Sequence, residues 1–231
     1  GNGFILNMAC VKEENKEVYL DFIGCSFISN KAETFGGAFA FFESKENSKG
    51  TTFLNFLNCY FKDNSCGKLQ GSSLYLDVKN ASIENCVFES EFNESIELLE
   101  TGNNSTIYLH FISLDNDLSS SPFSLKNCSF LSNKDCSIYI CNCSKELFFL
   151  DCSFISNQEN SLFIDNCMEE VLVYNCTFIK NQKTSLLIEN FEKEFSIDKT
   201  TFSNNSECSL LVLNSNSNFS INNCTFESNL E

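Results

Sequence analysis

Three cysteines, Cys136, Cys141 and Cys143, fall within one short stretch, and thiolates gathered so closely are the donors of a Cys-only metal site. No C-x-x-C pair accompanies them and the chain holds a single histidine, so the usual companions of a zinc site are missing. That histidine, His110, is the one side chain whose ordinary pKa suits proton transfer near neutrality. No serine or cysteine nucleophile is visible beside it, and its expected role is that of an ordinary strand residue. Asp115-Asn116-Asp117 offers oxygen ligands for a loosely held calcium ion, in a stretch that reads as a solvated loop. A glycan hydrolase requires two carboxylates about 5–10 Å apart in a cleft. Asp115, Asp117, Glu97 and Glu100 would have to converge with a lysine to supply them. Elsewhere the acids are scattered: where one repeat has Asp151, the next three have Asn175, Lys199 and Asn223. Gly36-Gly37 is not a phosphate loop, because no Lys-Ser or Lys-Thr follows. The expectation is no catalytic residue, no cofactor and no metal site, with a carbohydrate-active enzyme as the alternative.

Charge narrows the partners. The chain of 231 residues carries a net charge of −16, and its 15 basic residues are all lysine. Nucleic acid is a poor partner, because phosphate binding needs clustered positive charge. An anionic membrane surface is disfavoured for the same reason. No apolar run of 18 residues is present, so any membrane attachment would come from segments outside these residues. The chain starts Gly1-Asn2-Gly3-Phe4 and stops just after a repeat phrase, so it reads as residues 1–231 of one domain excised from a longer protein.

The elements that would position these side chains are set by a repeat. One phrase recurs along the chain, and in the second half it returns every 24 residues: Phe149-Leu-Asp-Cys152-Ser-Phe154-Ile-Ser-Asn157, then Val173-Tyr-Asn-Cys176-Thr-Phe178-Ile-Lys-Asn181. Such a period marks a solenoid, in which each repeat is one turn of a stacked rod. With the Cys as position zero, +2 is Phe (Phe130, Phe154, Phe178, Phe202, Phe226) and +5 is Asn (Asn133, Asn157, Asn181, Asn205, Asn229). Positions +10, +12, +19 and +21 are apolar, +9 is Ser and +14 is again Asn. Apolar residues two apart, in three segments per repeat, are the signature of strands. The fold expected is therefore all-β: a parallel β-helix of three strands per turn and about nine turns, irregular over 1–127 and regular over 128–231. Phe rings stack inside at the inter-strand spacing, and both Asn positions suit bends, where a left-handed backbone is needed and the side-chain amide bonds the next copy along the rod as a structural ladder.

Position zero is Cys128, Cys152, Cys176 and Cys224 in the regular part, with Thr200 once, so a small buried side chain suffices there and an unpaired thiol column is expected. Cys143 and Cys167 share +15, one turn apart, and are the expected disulfide, if there is one. The interval Cys86 to Cys128 fits neither one turn nor two. Ile112-Ser-Leu114 reads there as a degenerate phrase, with Leu109 at −3 and an irregular loop over Asp115–Ser121. Leucine-rich repeats share the period and part of the spacing, so a leucine-rich binding module is a second alternative.

The turn Phe27-Ile-Ser-Asn30-Lys-Ala-Glu-Thr-Phe-Gly36-Gly37-Ala38 resembles the F-x-x-N and G-G-A pairing of polymorphic membrane protein (Pmp-type) repeats. Gly71-Ser72-Ser73-Leu74 is a weakened copy of its second half. The resemblance implies a pectin-lyase-like right-handed parallel β-helix in a surface-exposed or autotransported adhesin, and it brings no catalytic residues. The expected role is a non-catalytic stalk or adhesin-like display module at the cell surface or outside the cell. Its expected partner is a protein or glycan on another surface. N-glycosylation sequons such as Asn80-Ala-Ser and Asn103-Asn-Ser point the same way.

Overall fold

A computed structural model describes residues 4–8, 17–43, 51–67, 71–90, 105–111 and 121–230. The chain winds through three parallel sheets of eight strands each. Sheet I holds the phrase strands Ser26–Ile28, Tyr60–Lys62, Val87–Glu89, Ser129–Leu131, Ser153–Ile155, Thr177–Ile179, Thr201–Ser203 and Thr225–Glu227. Sheet II holds Phe4–Met8, Phe39–Glu43, Leu74–Val78, Ser105–Phe111, Cys136–Cys143, Leu162–Cys167, Leu186–Phe191 and Leu210–Leu213. Sheet III holds Glu17–Ile23, Thr51–Leu57, Asn80–Glu84, Phe123–Lys126, Leu147–Leu150, Val171–Tyr174, Phe195–Asp198 and Phe219–Asn222. The described residues thus make eight coils, each running from sheet II to III to I, fewer than the period alone gives because the early coils spend more residues than the later ones. Lys31–Ala32 and Ser65–Cys66 add a short two-stranded sheet at a corner, and three long parallel sheets with no helix among the described residues rule out the leucine-rich horseshoe.

Alternation places every second side chain inside. The Phe rings at +2 form one continuous stack, with centroids 4.7 Å apart for Phe27 and Phe61, 5.0 Å for Phe88 and Phe130, and 4.7 Å for Phe154 and Phe178. Phe130, Phe154 and Phe178 are fully buried. The stack crosses the long Cys86–Cys128 interval without a break, since Phe88 pairs directly with Phe130. That interval is a single coil, which corrects the degenerate-phrase reading. Leu109 sits opposite Leu76 and Ile140 in sheet II, at +12 rather than −3. An insertion placed at a corner leaves the strands on either side in register, and residue spacing alone does not distinguish it from an added coil. Ile112-Ser-Leu114, Asp115-Asn116-Asp117, Glu97 and Glu100 lie outside the described residues.

The corners turn on left-handed residues, and the two Asn positions divide the work differently from expectation. Position +14 is left-handed (Asn142, Asn166, Asn190 and Asn214), as are −1 (Asn127, Asp151, Asn175, Lys199 and Asn223) and +4 (Ser132, Ser156, Lys180, Asn204 and Ser228). Position +5 is not. Its Asn side chains turn inward and bond along the rod. The Asn157 Oδ1 accepts from both the backbone N–H and the side-chain amide of Asn133, at 3.0 and 3.1 Å. The Asn157 amide in turn donates to Asn181 Oδ1 and to the Phe130 carbonyl. The same bonds recur from Asn181 to Asn205 and from Asn205 to Asn229. The residue before each Asn supplies the bend, leaving the amide free to satisfy the corner backbone.

The G-G-A element has a steric cause. A Cβ on Gly37 would lie 2.2 Å from the Ser72 carbonyl oxygen and 2.4 Å from that of Ser65, so two coils meet there at a distance only glycine permits. Ala38 occupies +9, the place of Ser in the regular coils. Ser137, Ser161 and Ser185 are fully buried there, and their hydroxyls have no hydrogen-bond partner. A buried hydroxyl without a partner costs about 1–3 kcal/mol. Ser161→Ala is therefore expected to leave stability unchanged or raise it by about 1 kcal/mol, read as an unchanged or higher urea midpoint; a loss above that size would show a hidden partner.

Candidate functional site

The outer face of sheet II carries two rows of side chains set by the ladder register. The first row is Tyr75, Tyr108, Tyr139 and Phe163 on successive coils. Each stands between two inward aliphatic residues, as in Leu74-Tyr75-Leu76 and Ile138-Tyr139-Ile140, so strand alternation throws it outward. Tyr75 stacks on Tyr108 at 4.8 Å and Tyr139 on Phe163 at 4.8 Å, while Tyr108 meets Tyr139 edge-on at 5.7 Å. Phe35 and Phe42 extend the row, 4.4 and 5.0 Å from Tyr75. Such pairs are worth about 0.5–1.5 kcal/mol beyond their buried area. Tyr139 is buried, and Tyr75, Tyr108 and Phe163 are half-buried. Burial pushes the Tyr75 and Tyr139 hydroxyls up to about 12, so both rings stay uncharged at physiological pH.

The second row runs Asp77, His110, Cys141, Asp165, Glu189. His110 Nδ1 lies 2.8 Å from Asp77 Oδ1, so the only histidine has a carboxylate partner that fixes its ring. Cys141 stands beside it on the next coil, and its thiol meets the Tyr108 hydroxyl at 3.0 Å. The expectation that His110 has no neighbour of catalytic type is thereby corrected. Asp, His and Cys from three coils lie side by side, as only the register could bring them. The thiol is nevertheless a poor nucleophile. Burial pushes its pKa up, with the Tyr108 hydrogen bond opposing, whereas attack requires a thiolate. Farther along, Asp165 faces Glu189 across the ladder, although the sequence reading finds no converging acidic pair. Each carboxylate accepts an amide bond from the next coil, Asn190 to Asp165 at 2.9 Å and Asn214 to Glu189 at 3.3 Å.

The remaining cysteines are structural in geometry. Cys136 and Cys141 belong to the outer cluster with Tyr139, whereas Cys143 points into the core, so the three do not share one centre. No group of three metal-ligating side chains forms among the described residues. Cys143 and Cys167 face each other in the ladder as separate buried thiols, and each also donates to the carbonyl two residues on, Lys145 at 3.3 Å and Glu169 at 3.4 Å. In the position-zero column, Cys128, Cys152, Cys176 and Cys224 each donate to the carbonyl two residues back. Thr200 makes the same bond to Asp198 at 3.2 Å, so the site asks for a small donor rather than merely a small side chain.

The aromatic row was hidden in the sequence because its members fall at unequal intervals in the irregular coils. Its only local sign is an aromatic residue between two aliphatic ones in four successive coils, from Leu74-Tyr75-Leu76 to Leu162-Phe163-Ile164.

A family model described as the right handed beta helix region matches residues 45–192 and, overlapping, 110–231. No curated protein and no solved structure matches the chain. The matched span covers most of the chain and coincides with the three stacked parallel sheets, and the chain belongs to the right-handed β-helix family.

Proposed function

We propose that this β-helix is a non-catalytic display rod, at the cell surface or outside the cell, that adheres through the outer face of sheet II to a protein or glycan on another surface. One observation carries the reading: a stacked aromatic row, Tyr75–Tyr108–Tyr139–Phe163, flanked by a polar row of Asp77, His110, Asp165 and Glu189. Flat rings with hydrogen-bonding groups at their edge suit a sugar face or an aromatic-rich protein contact. The Pmp-type pairing of Phe27-x-x-Asn30 with Gly36-Gly37-Ala38 supports the surface role. The strongly acidic charge argues against nucleic acid as the partner.

The test is binding of the purified chain to cultured cells and to a panel of matrix glycans, beside the Tyr108→Ala variant. Saturable binding that weakens at least tenfold in the variant, with circular dichroism unchanged, is the expected result. A second reading, a glycan-active enzyme, draws on the adjacency of Asp165 and Glu189. Release of reducing ends from a polysaccharide, abolished by Glu189→Gln, would establish it and overturn the display reading.

A further inference from the structure

The edge between sheets III and I carries a second regular feature. Asn127, Asn175 and Asn223 occupy the same left-handed corner position on alternate coils, with φ of 51° in each. All three are exposed. Each opens an Asn-x-Ser or Asn-x-Thr triplet: Asn127-Cys128-Ser129, Asn175-Cys176-Thr177 and Asn223-Cys224-Thr225. The middle residue is the inward donor of the position-zero column, buried at Cys128 and Cys176 and partly buried at Cys224 in the last coil, and the hydroxyl residue is an outward position of sheet I. The register therefore turns the middle residue inward and holds the asparagine and the hydroxyl outward. The coils between carry Asp151 and Lys199 at the corner, so the triplets are two coils apart, roughly 10 Å. In a triangular rod this edge lies opposite sheet II. Asn142, Asn204 and Asn218 open single triplets elsewhere that do not repeat in register.

We infer that Asn127, Asn175 and Asn223 are N-glycosylation sites that line one edge of the rod with glycans and leave the aromatic face bare. In the step, the asparagine Nδ2 forms a C–N bond to the anomeric carbon of an oligosaccharide carried on a polyprenyl pyrophosphate. The anomeric C–O bond breaks, the pyrophosphate leaves with its electron pair, and the amide proton passes to a base of the transferring enzyme. No redox change occurs. The corner accommodates the product because each amide makes only an exposed bond to a neighbouring coil, as from Asn175 to Asp151 at 2.7 Å and from Asn223 to Asp198 at 2.9 Å. Asn80-Ala81-Ser82 is the internal contrast. Asn80 is only 6% exposed and its Oδ1 accepts from the Lys145 ammonium at 2.6 Å, so a glycan there is incompatible with the folded rod.

The inference rests on the extracellular reading, and the test separates the two. The full chain is secreted from a eukaryotic cell line behind a supplied leader, and its peptides are mapped by mass spectrometry after enzymatic deglycosylation. Asn127, Asn175 and Asn223 are expected to carry the deglycosylation mass tag and Asn80 to lack it. Thr177→Ala is expected to remove one glycan step on a gel and Thr177→Ser to restore it. Folded secreted chain with the three asparagines untagged overturns the site assignment and leaves the display reading standing. Surface labelling of cells that make the native protein reads the location separately; native protein found only inside the cell and untagged overturns both.

Discussion

Asn157→Ala is expected to destabilise the rod by about 3–5 kcal/mol, the effect of removing four bonds from a fully buried ladder. Two of them satisfy Asn133, through its backbone N–H and its side-chain amide, and two are donated by Asn157 itself to Asn181 and Phe130. Each ordinary hydrogen bond contributes about 1 kcal/mol net, but the donors left behind on Asn133 are buried and add desolvation costs of about 1–3 kcal/mol. Water has no route in, since Asn133, Asn157 and Asn181 are all fully buried. Asn166→Gly is the contrast, because glycine keeps the left-handed backbone this corner needs. Its exposed amide donates one bond, to Asn142 at 2.6 Å, and the expected cost is under about 1 kcal/mol. The chain has no tryptophan, so urea unfolding is followed by far-UV circular dichroism. Equal midpoints for the two variants would mean that the inner ladder contributes no more than the outer one.

Phe154→Ala is expected to cost a similar 3–5 kcal/mol, for a different reason. The ring is fully buried and stacked on both sides, against Phe130 at 4.8 Å and Phe178 at 4.7 Å. Truncation loses the transfer energy of the ring and leaves a cavity between two flat neighbours that cannot collapse, since the backbone ladder holds successive coils apart. Phe154→Leu keeps most of the volume and should lose less than half as much. A defect in mid-rod also weakens the nearest-neighbour coupling on which a solenoid's cooperativity depends. The alanine variant should therefore unfold over a broader urea range, or in two steps. Phe226→Ala, at a ring 47% exposed in the last coil, should cost much less and leave the transition sharp. A sharp transition with an unchanged midpoint for Phe154→Ala would refute a stacked core.

By itself the sequence determined the strands, the three faces per coil, the inward Phe and Cys columns, and the solenoid that follows from them. These are legible because side-chain alternation is local: Cys152, Phe154, Leu162 and Ile164 declare their direction to anyone counting by two. The inner Asn column was also visible, although its geometry was not. Asn157 could be read either as a left-handed bend or as a ladder, and only the backbone shows that Ser156 takes the bend. The tertiary structure alone decided which coil lies beside which in the irregular half. Asp77, His110 and Cys141 become neighbours because ladder hydrogen bonds hold their strands in register across corners of unequal length. Corner length is invisible to the pairing and dominates the spacing, so the histidine's partner and the aromatic row exist only once the coils are stacked.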